Sequence, residues 1–363
     1  MASVVLVLPG PLDARTGGTI YGLRIVEGLR RRGWHVDVLE LDPSFPSPTS
    51  RAFTHADAAL AAIPAGGIVI VDSLALGAMP DIITREAERV CIVALVHQPL
   101  AAAVALDRAT VARFQEGERR ALSAAALVIV TGRATLALVA PYAVPSDRIV
   151  VVEPGTDAAP ISRGSSVPRA TDAAVSDKPR YLELLSVATV HPGKGHDLLL
   201  EALAEMPSQA WHLTCAGSLT RHPATADRLR AMVASLGLGD RVSFVGDLDR
   251  QELATCYAVA DVFVLATQQE TYGMAVAEAL AYGLPVVATM TGAIPDLVGD
   301  AAGLLVRVGD KPALIDALTR VIEDPVLRSR LSQGASRARE RLPTWDTASD
   351  GMSAALRALI ANG

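Results

Sequence analysis

The stretch Asp261-Val-Phe-Val-Leu-Ala-Thr-Gln-Gln-Glu270-Thr-Tyr-Gly-Met-Ala-Val-Ala-Glu278-Ala-Leu280 decides how the chain is read. Val262 to Leu265 is a short apolar run of β-formers, which predicts a buried strand. Thr267 to Gly273 is polar and closes on glycine, which marks a loop. Met274 to Tyr282 is alanine-rich and predicts a helix, ended by Gly283 and Pro285. In an open α/β sheet such a strand-loop-helix unit puts its loop at the carboxyl edge, where ligands bind. The helix start offers unpaired N–H groups and a positive dipole end, which suit phosphate. Glu270 lies in the loop, and Glu278 about a turn and a half inside the helix. Two carboxylates beside an anion site repel the anion unless they address hydroxyls. A sugar nucleotide carries both kinds of group, a diphosphate and the hydroxyls of ribose and hexose.

Outward from this stretch the same alternation continues. Tyr181 to Val187 opens a βα series, followed by Thr189-Val-His-Pro-Gly-Lys194-Gly-His196, a loop entering a helix. Lys194 is placed there to meet phosphate as a mobile point charge. Trp211 to Ala216, Val242 to Val245 and Val286 to Thr289 are further strand runs. Asp247-Leu-Asp249 has the form of a metal-binding DxD. Asp249-Arg-Gln-Glu252 instead has capping-box spacing, and we read it as a helix start. Helices are predicted over Lys311 to Glu323 and Val326 to Arg341, and Thr344-Trp345-Asp346 opens a last one.

The first half reads similarly. Val4 to Leu8, a loop from Pro9 to Gly18, a helix from Thr19 to Arg32 and Val36 to Leu41 form a βαβ unit. Gly17-Gly18 before the helix is either a flexible turn or a place where a ligand approaches the backbone. It is not the GxGxxG dinucleotide fingerprint. Further strand runs are Ile68 to Val71, Val90 to Val96, Leu127 to Val130 and Ile149 to Val152. His97 directly follows one of them, at the carboxyl edge, as a hydrogen-bonded loop residue or a functional one. Ile161 to Arg180 is rich in Ser, Pro, Ala and Asp without periodicity, and reads as a linker.

At 363 residues, 50% hydrophobic and 20% charged, the chain is long enough for two domains with sizeable cores. A net charge of −6 argues against general nucleic-acid binding. It leaves room for a local basic face and peripheral contact with membrane lipid. Cys91, Cys215 and Cys256 lie apart in apolar sequence and read as buried free thiols. Met1-Ala-Ser-Val-Val-Leu-Val-Leu lacks a charged n-region and is cut short by Pro9-Gly10, so it reads as a first strand. No run reaches transmembrane length, and the expected compartment is the cytoplasm.

Glu270-x7-Glu278 with Tyr272-Gly273 between, set between a strand and a helix running into Gly283-Leu-Pro-Val-Val-Ala288, resembles the signature of retaining family 4 glycosyltransferases of GT-B fold. The resemblance spans nearly the whole chain, densely in the second half and loosely in the first. It implies an α/β fold with two Rossmann-like domains facing across a cleft. Residues 1–160 would form the acceptor domain, 161–180 the linker and 181–344 the nucleotide-sugar donor domain. The helix 345–363 would pack back on the first domain. It implies transfer of a sugar from a nucleoside-diphosphate sugar to an acceptor hydroxyl, with retention at the anomeric carbon. UDP-sugars come first and GDP-mannose second. The acceptor stays open among glycan, lipid and small molecule.

By the same resemblance His97, Lys194 and Glu270 are the catalytic candidates. Lys194 would meet the diphosphate, Glu270 the sugar hydroxyls beside it, and His97 the donor sugar. Gly17, Gly18, Thr189, Gly246, Tyr272, Gly273, Met274, Glu278 and Gly292 would line the donor, with Glu278 on the ribose. No cofactor and no metal is expected. The chain departs from the family pattern in three places. Glu153-Pro-Gly155-Thr-Asp157 replaces Pro-Asn-Gly-Val-Asp, Asp296 stands for Glu in the Gly292 stretch, and Ala188-Thr189 stands where a Gly-Arg pair is usual. One cation of the phosphate clamp is therefore missing, with Arg15 and Arg133 as candidates to replace it. Two other readings share the fold. One is a sugar-nucleotide epimerase or phosphorylase, the other a sugar-nucleotide-binding protein without catalysis. Release of nucleoside diphosphate from a donor panel separates them.

Overall fold

The apolar runs become the central strands of two parallel sheets. The structure, a computed structural model, describes residues 2–162 and 181–362. The linker expected over 161–180 therefore lies almost wholly outside the described residues. The chain divides into two units, Met1–Gly155 with Pro343–Gly363, and Thr156–Leu342.

In the first unit the strands are β1 (Ser3–Pro9), β2 (His35–Leu41), β3 (Ile68–Asp72), β4 (Cys91–Val96), β5 (Leu127–Val130) and β6 (Ile149–Val151). They lie in the order β2-β1-β3-β4-β5-β6 with parallel pairing throughout. The second unit holds β7 (Leu182–Val187), β8 (Trp211–Ala216), β9 (Val242–Gly246), β10 (Val262–Leu265), β11 (Val286–Thr289) and β12 (Gly303–Val306). Their order is β12-β11-β10-β7-β8-β9, again parallel. Numbered from β7, that is the doubly wound order of dinucleotide-binding sheets. Every residue of β3, β5, β10 and β11 is buried. Helices covering both faces of a parallel sheet explain why these strands read as unbroken apolar runs rather than alternating ones. Each fully buried Val, Leu or Phe contributes roughly 1.5–3 kcal/mol relative to exposure.

Three expectations are corrected. The first helix runs Gly17–Arg31, not from Thr19. Thr16 is its N-cap in a reciprocal capping box with Thr19, so Gly17 and Gly18 belong to the first helical turn. The sequence reading passes over β12, because a glycine heading a four-residue run looks like a turn. A Cβ at Gly303 would lie 2.2 Å from the Val286 carbonyl oxygen, so only glycine lets β12 approach there. The first unit also ends before residue 160. Ser162 N–H donates to Tyr282 O (2.7 Å) and its hydroxyl reaches Ala258 O and Ala260 O, while Arg339 donates to Ala159 O (2.6 Å). These bonds tie 159–162 to the second unit.

The last helix, Trp345–Asn362, belongs to the first unit and lies along Gly17–Arg31. Trp34 Nε1 donates to Ser353 Oγ (2.9 Å) and Arg32 Nε to Asp350 Oδ1 (2.6 Å). A Cβ at Gly28 would sit 1.8 Å from Ser349 Oγ, so the helices meet over a glycine. The three cysteines are free thiols, and burial pushes Cys215 up to about 12. Among the described residues no helix is long and apolar enough to cross a membrane.

Candidate functional site

In the second unit the strand order reverses between β7 and β10. Loops leaving the carboxyl ends of two such strands diverge and open a crevice. Here the loops are 188–195 and 266–273, and three contacts staple them. Gln268 N–H and Thr267 Oγ1 both donate to Gly193 O, at 2.8 and 3.1 Å. Gly195, at φ +67°, approaches so closely that a Cβ would lie 1.9 Å from Ala266 O. Thr267 is fully buried, and Thr289 Oγ1 donates to its carbonyl.

The staples bring two charged side chains together. Lys194 Nζ lies 2.7 Å from Glu270 Oε2. Glu270 Oε1 accepts from Thr271 N–H at 3.2 Å. Gly292, at φ +56°, supports the Glu270 backbone from below, since a Cβ there would fall 1.7 Å from Glu270 O. Gly273, at φ +94°, starts the helix Met274–Ala281 with no side-chain cap and no acidic residue in its first turn. The first internal bond is Ala277 N–H to Gly273 O, so the N–H groups of Met274, Ala275 and Val276 have no partner within the helix. The helix His196–Glu205 starts at Gly195, which has no side chain to cap it, but carries Asp197 in its first turn, whose Oδ1 accepts from Leu198 N–H at 3.0 Å. Lys194 and the acid-free start of Met274–Ala281 thus stand beside Glu270, an arrangement that can hold an anion and address hydroxyls next to it.

Glu278 is half-buried on Met274–Ala281. Tyr257, from the helix Arg250–Val259, donates its hydroxyl to Glu278 Oε2 (2.9 Å) and Ala275 O (3.2 Å) and stacks on Tyr282. Burial first and Glu278 second raise the Tyr257 phenol well above its ordinary value, so it stays a donor. Tyr272 is buried in the same loop and Met274 half-buried at the helix start. Thr189 and Gly246 lie toward the other side of the sheet. Ala188 N–H and Val190 N–H bond to Ala216 O and Ser218 O, and Gly217 N–H to Gly246 O. The loop after β7 therefore starts against β8 and ends against β10. Two residues on from Thr189, His191 Nδ1 accepts from Gly193 N–H (3.0 Å), which leaves the ring proton on Nε2. Burial, then His222 (its ring edge-on at 4.4 Å), then Lys194 hold this imidazole below its usual range. Asp249 is engaged in its capping box, with Glu252 N–H donating to Oδ1 at 2.8 Å and Asp249 N–H to Glu252 Oε2 at 2.7 Å.

In the first unit the order reverses between β1 and β3. Asp72, the last residue of β3, is buried and caps the short helix after it through Leu74 N–H at 2.8 Å. Its other oxygen lies 3.4 Å from His97 Nε2, an approach not aligned as a hydrogen bond. The His97 ring stands edge-on to Tyr21 at 5.1 Å, and its carbonyl accepts from Thr135 Oγ1 at 3.1 Å. A Cβ on Gly18 would meet His97 Cδ2 at 3.5 Å. Gly18, Tyr21, Asp72 and His97 therefore form one constellation, with Gly17 beside it on the same helix turn. Buried Glu118 anchors the segment after His97. It accepts from Leu100 N–H, Ala101 N–H and Tyr142 OH, and burial pushes its carboxyl up.

Residues 169–338 match the family model described as glycosyl transferases group 1. Over this region, just under half of its length, the chain is similar to the group 1 glycosyl transferases. The matched region spans Thr189, Lys194, Gly246, Glu270 to Met274, Glu278 and Gly292, and excludes Gly17, Gly18 and His97. Among curated relatives, D-inositol 3-phosphate glycosyltransferase of Xylanimonas cellulosilytica is 33% identical over 242 residues, 65% of this chain and 58% of that protein. The same-named protein of Frankia alni is 36% identical over 206 residues, 53% of this chain and 49% of that protein. The matches span about half the length of these relatives. Among solved structures, sucrose-phosphate synthase from Thermosynechococcus elongatus has a TM-score of 0.82 at 22% identity, covering 100% of both chains. Anabaena HepE in complex with UDP and glucose has a TM-score of 0.77 at 17% identity, over 99% of this chain and 100% of that one. These likenesses show the two-domain GT-B fold.

Several of these residues escaped the sequence reading. Tyr257 and Thr267 could have been suspected from their places, an aromatic in a chain poor in aromatics and a hydroxyl directly after a buried strand. Asp72 closes an apolar run and carries the same kind of signal. Glu118 gave none, since it sits mid-helix among other charges.

Proposed function

We propose that this protein is a glycosyl transferase, which moves a sugar from a nucleoside-diphosphate sugar to an acceptor hydroxyl with retention at the anomeric carbon. The observation that carries this reading is the Lys194–Glu270 pair, 2.7 Å apart beside the uncapped start of Met274–Ala281 at the switch point of the second sheet. Departure of the nucleoside diphosphate builds negative charge on the β-phosphate and positive charge on the sugar. Lys194 and the first-turn N–H groups of Met274–Ala281 meet the negative charge as it grows. Glu270 addresses sugar hydroxyls beside the diphosphate, and Glu278, oriented by Tyr257, addresses the ribose. His97 is our candidate for contact with the transferred sugar from the first unit's own constellation. No side chain here is an evident nucleophile, so we favour front-face attack assisted by the leaving phosphate. We expect no metal requirement, because Lys194 and helix-end donors can serve the phosphate and Asp249 is engaged in its capping box.

UDP-sugars are tested first, since HepE is described in complex with UDP, and GDP-mannose second. D-inositol 3-phosphate opens the acceptor panel, because curated relatives carry its name. The protein is incubated with each donor, with and without acceptor, in EDTA, and nucleoside diphosphate release is followed. Acceptor-dependent release with an unchanged anomeric configuration by proton NMR is expected. An epimerase would interconvert donors without an acceptor, a phosphorylase would need phosphate, and a binding protein would release nothing. Loss of activity in EDTA, restored by manganese or magnesium, would overturn the metal-free reading.

A further inference from the structure

Resting on the donor-site reading above, we propose that Glu270 competes with phosphate for Lys194, so that the site binds an intact sugar nucleotide in preference to free nucleoside diphosphate. Both partners are held in place. Lys194 is stationed by the bonds from Thr267 and Gln268 to Gly193 O, and Glu270 by Thr271 N–H and by the Gly292 backbone pressed against its own. Their side chains keep only 28% and 18% of their exposure, so the pair is sheltered from the screening that weakens surface ion pairs. At 2.7 Å the contact has the length of a charge-assisted hydrogen bond.

A phosphate reaching Lys194 must take it from Glu270. With nucleoside diphosphate alone, the displaced carboxylate is left facing a second negative charge, with the Thr271 N–H on Oε1 but no replacement for the ammonium on Oε2. With a sugar attached, its hydroxyls donate to that carboxylate and replace the ammonium. Glu270 thus lowers affinity for the diphosphate and returns that affinity when the sugar is present. Once the sugar has been transferred, the same carboxylate reclaims Lys194 and weakens the hold on the product.

The test is calorimetric titration of UDP, GDP, UDP-glucose and GDP-mannose into five proteins: the natural chain, Glu270→Gln, Glu270→Ala, Lys194→Met and the Glu270→Gln/Lys194→Met double variant. Glu270→Gln should bind whichever diphosphate the natural chain binds about tenfold more tightly, the scale of one charge-assisted hydrogen bond. It should gain little or lose affinity for the matching sugar nucleotide. The gain should vanish in the Lys194→Met background, and Glu270→Ala, which removes the acceptor outright, should reproduce it. A diphosphate affinity unchanged or weakened by Glu270→Gln, while Lys194→Met still weakens binding, overturns this inference and leaves the donor site standing. A gain that persists without Lys194 also overturns it, because loss of one like charge would then suffice. No nucleotide binding by the natural chain or any variant overturns the donor-site reading and the inference with it.

Discussion

Replacing Gly195 by alanine tests whether the staples between the loops after β7 and β10 set the position of Lys194. Gly195 and Gly237 share a φ of +67°, but their surroundings differ. A Cβ added at Gly237 would have nothing within 4 Å, whereas at Gly195 that atom would lie 1.9 Å from Ala266 O. Gly237→Ala therefore meets only the left-handed backbone penalty, about 1–2 kcal/mol. Gly195→Ala meets the same penalty and must also drive the carbonyl back by about 1 Å to reach the 3.0 Å that real Cβ contacts allow. That retreat pulls Thr267 and Gln268 off Gly193 O, bonds worth about 0.5–1.5 kcal/mol each. The expected total is about 2–5 kcal/mol, at least about 1 kcal/mol beyond the control. Displacing Lys194 by about 1 Å should lower turnover about a hundredfold, with Gly237→Ala close to natural activity. Urea denaturation of both variants gives the stabilities, provided the slopes agree. Equal destabilisation by both substitutions, with turnover intact in Gly195→Ala, would refute the claim that these loops are held in register by this contact.

Three further outcomes follow from the described geometry. Burial pushes His196 down from 6.5 to about 4. Between those values the unfolded chain binds a proton that the folded chain cannot. Stability should therefore fall as pH drops from 6.5 to about 4 and lose nothing more to this group below that, in all roughly 3 kcal/mol at about 1.36 kcal/mol per pH unit. His196→Leu should flatten this part of the pH dependence in urea melts, and parallel curves would count against it. Tyr257→Phe should weaken nucleoside diphosphate binding several-fold, by about 0.5–1.5 kcal/mol, and should weaken the 2′-deoxy analogue less; equal losses would separate Tyr257 from the ribose. Thr189→Arg should tighten UDP or GDP about tenfold if position 189 reaches the phosphates, the scale of a charge-assisted hydrogen bond, and unchanged titrations would mean that it does not.

The parts of the site legible in the sequence are those made by neighbours along the chain. Val262 to Ala281 could be read because strand, polar loop and helix follow one another, and the Asp249–Glu252 box because a cap and its reciprocal partner stand three apart. Lys194 and Glu270 could each be placed at the carboxyl edge of a strand. Their contact could not, because it depends on β7 and β10 lying side by side although two strands separate them in sequence. The same holds for Asp72 beside His97 and Tyr257 beneath Glu278, each pair joined by strand or helix packing rather than by spacing. At Gly17 the misreading was local. Two glycines look like a loop, but a threonine cap ahead of them starts the helix early.

The return of the chain to its first unit has a consequence for biosynthesis. Residues 156–342 are one continuous stretch and can close their sheet as soon as they emerge. The first unit cannot. Its helix Gly17–Arg31 waits, with Trp34 and the notch over Gly28 uncovered, until Trp345–Asn362 has been made. The intervening 187 residues, from 156 through 342, take roughly ten to forty seconds to translate at about 5–20 residues per second. Of the two units, the one whose synthesis starts first is thus completed second, and during that interval its open helix face is the surface that chaperones would have to shield.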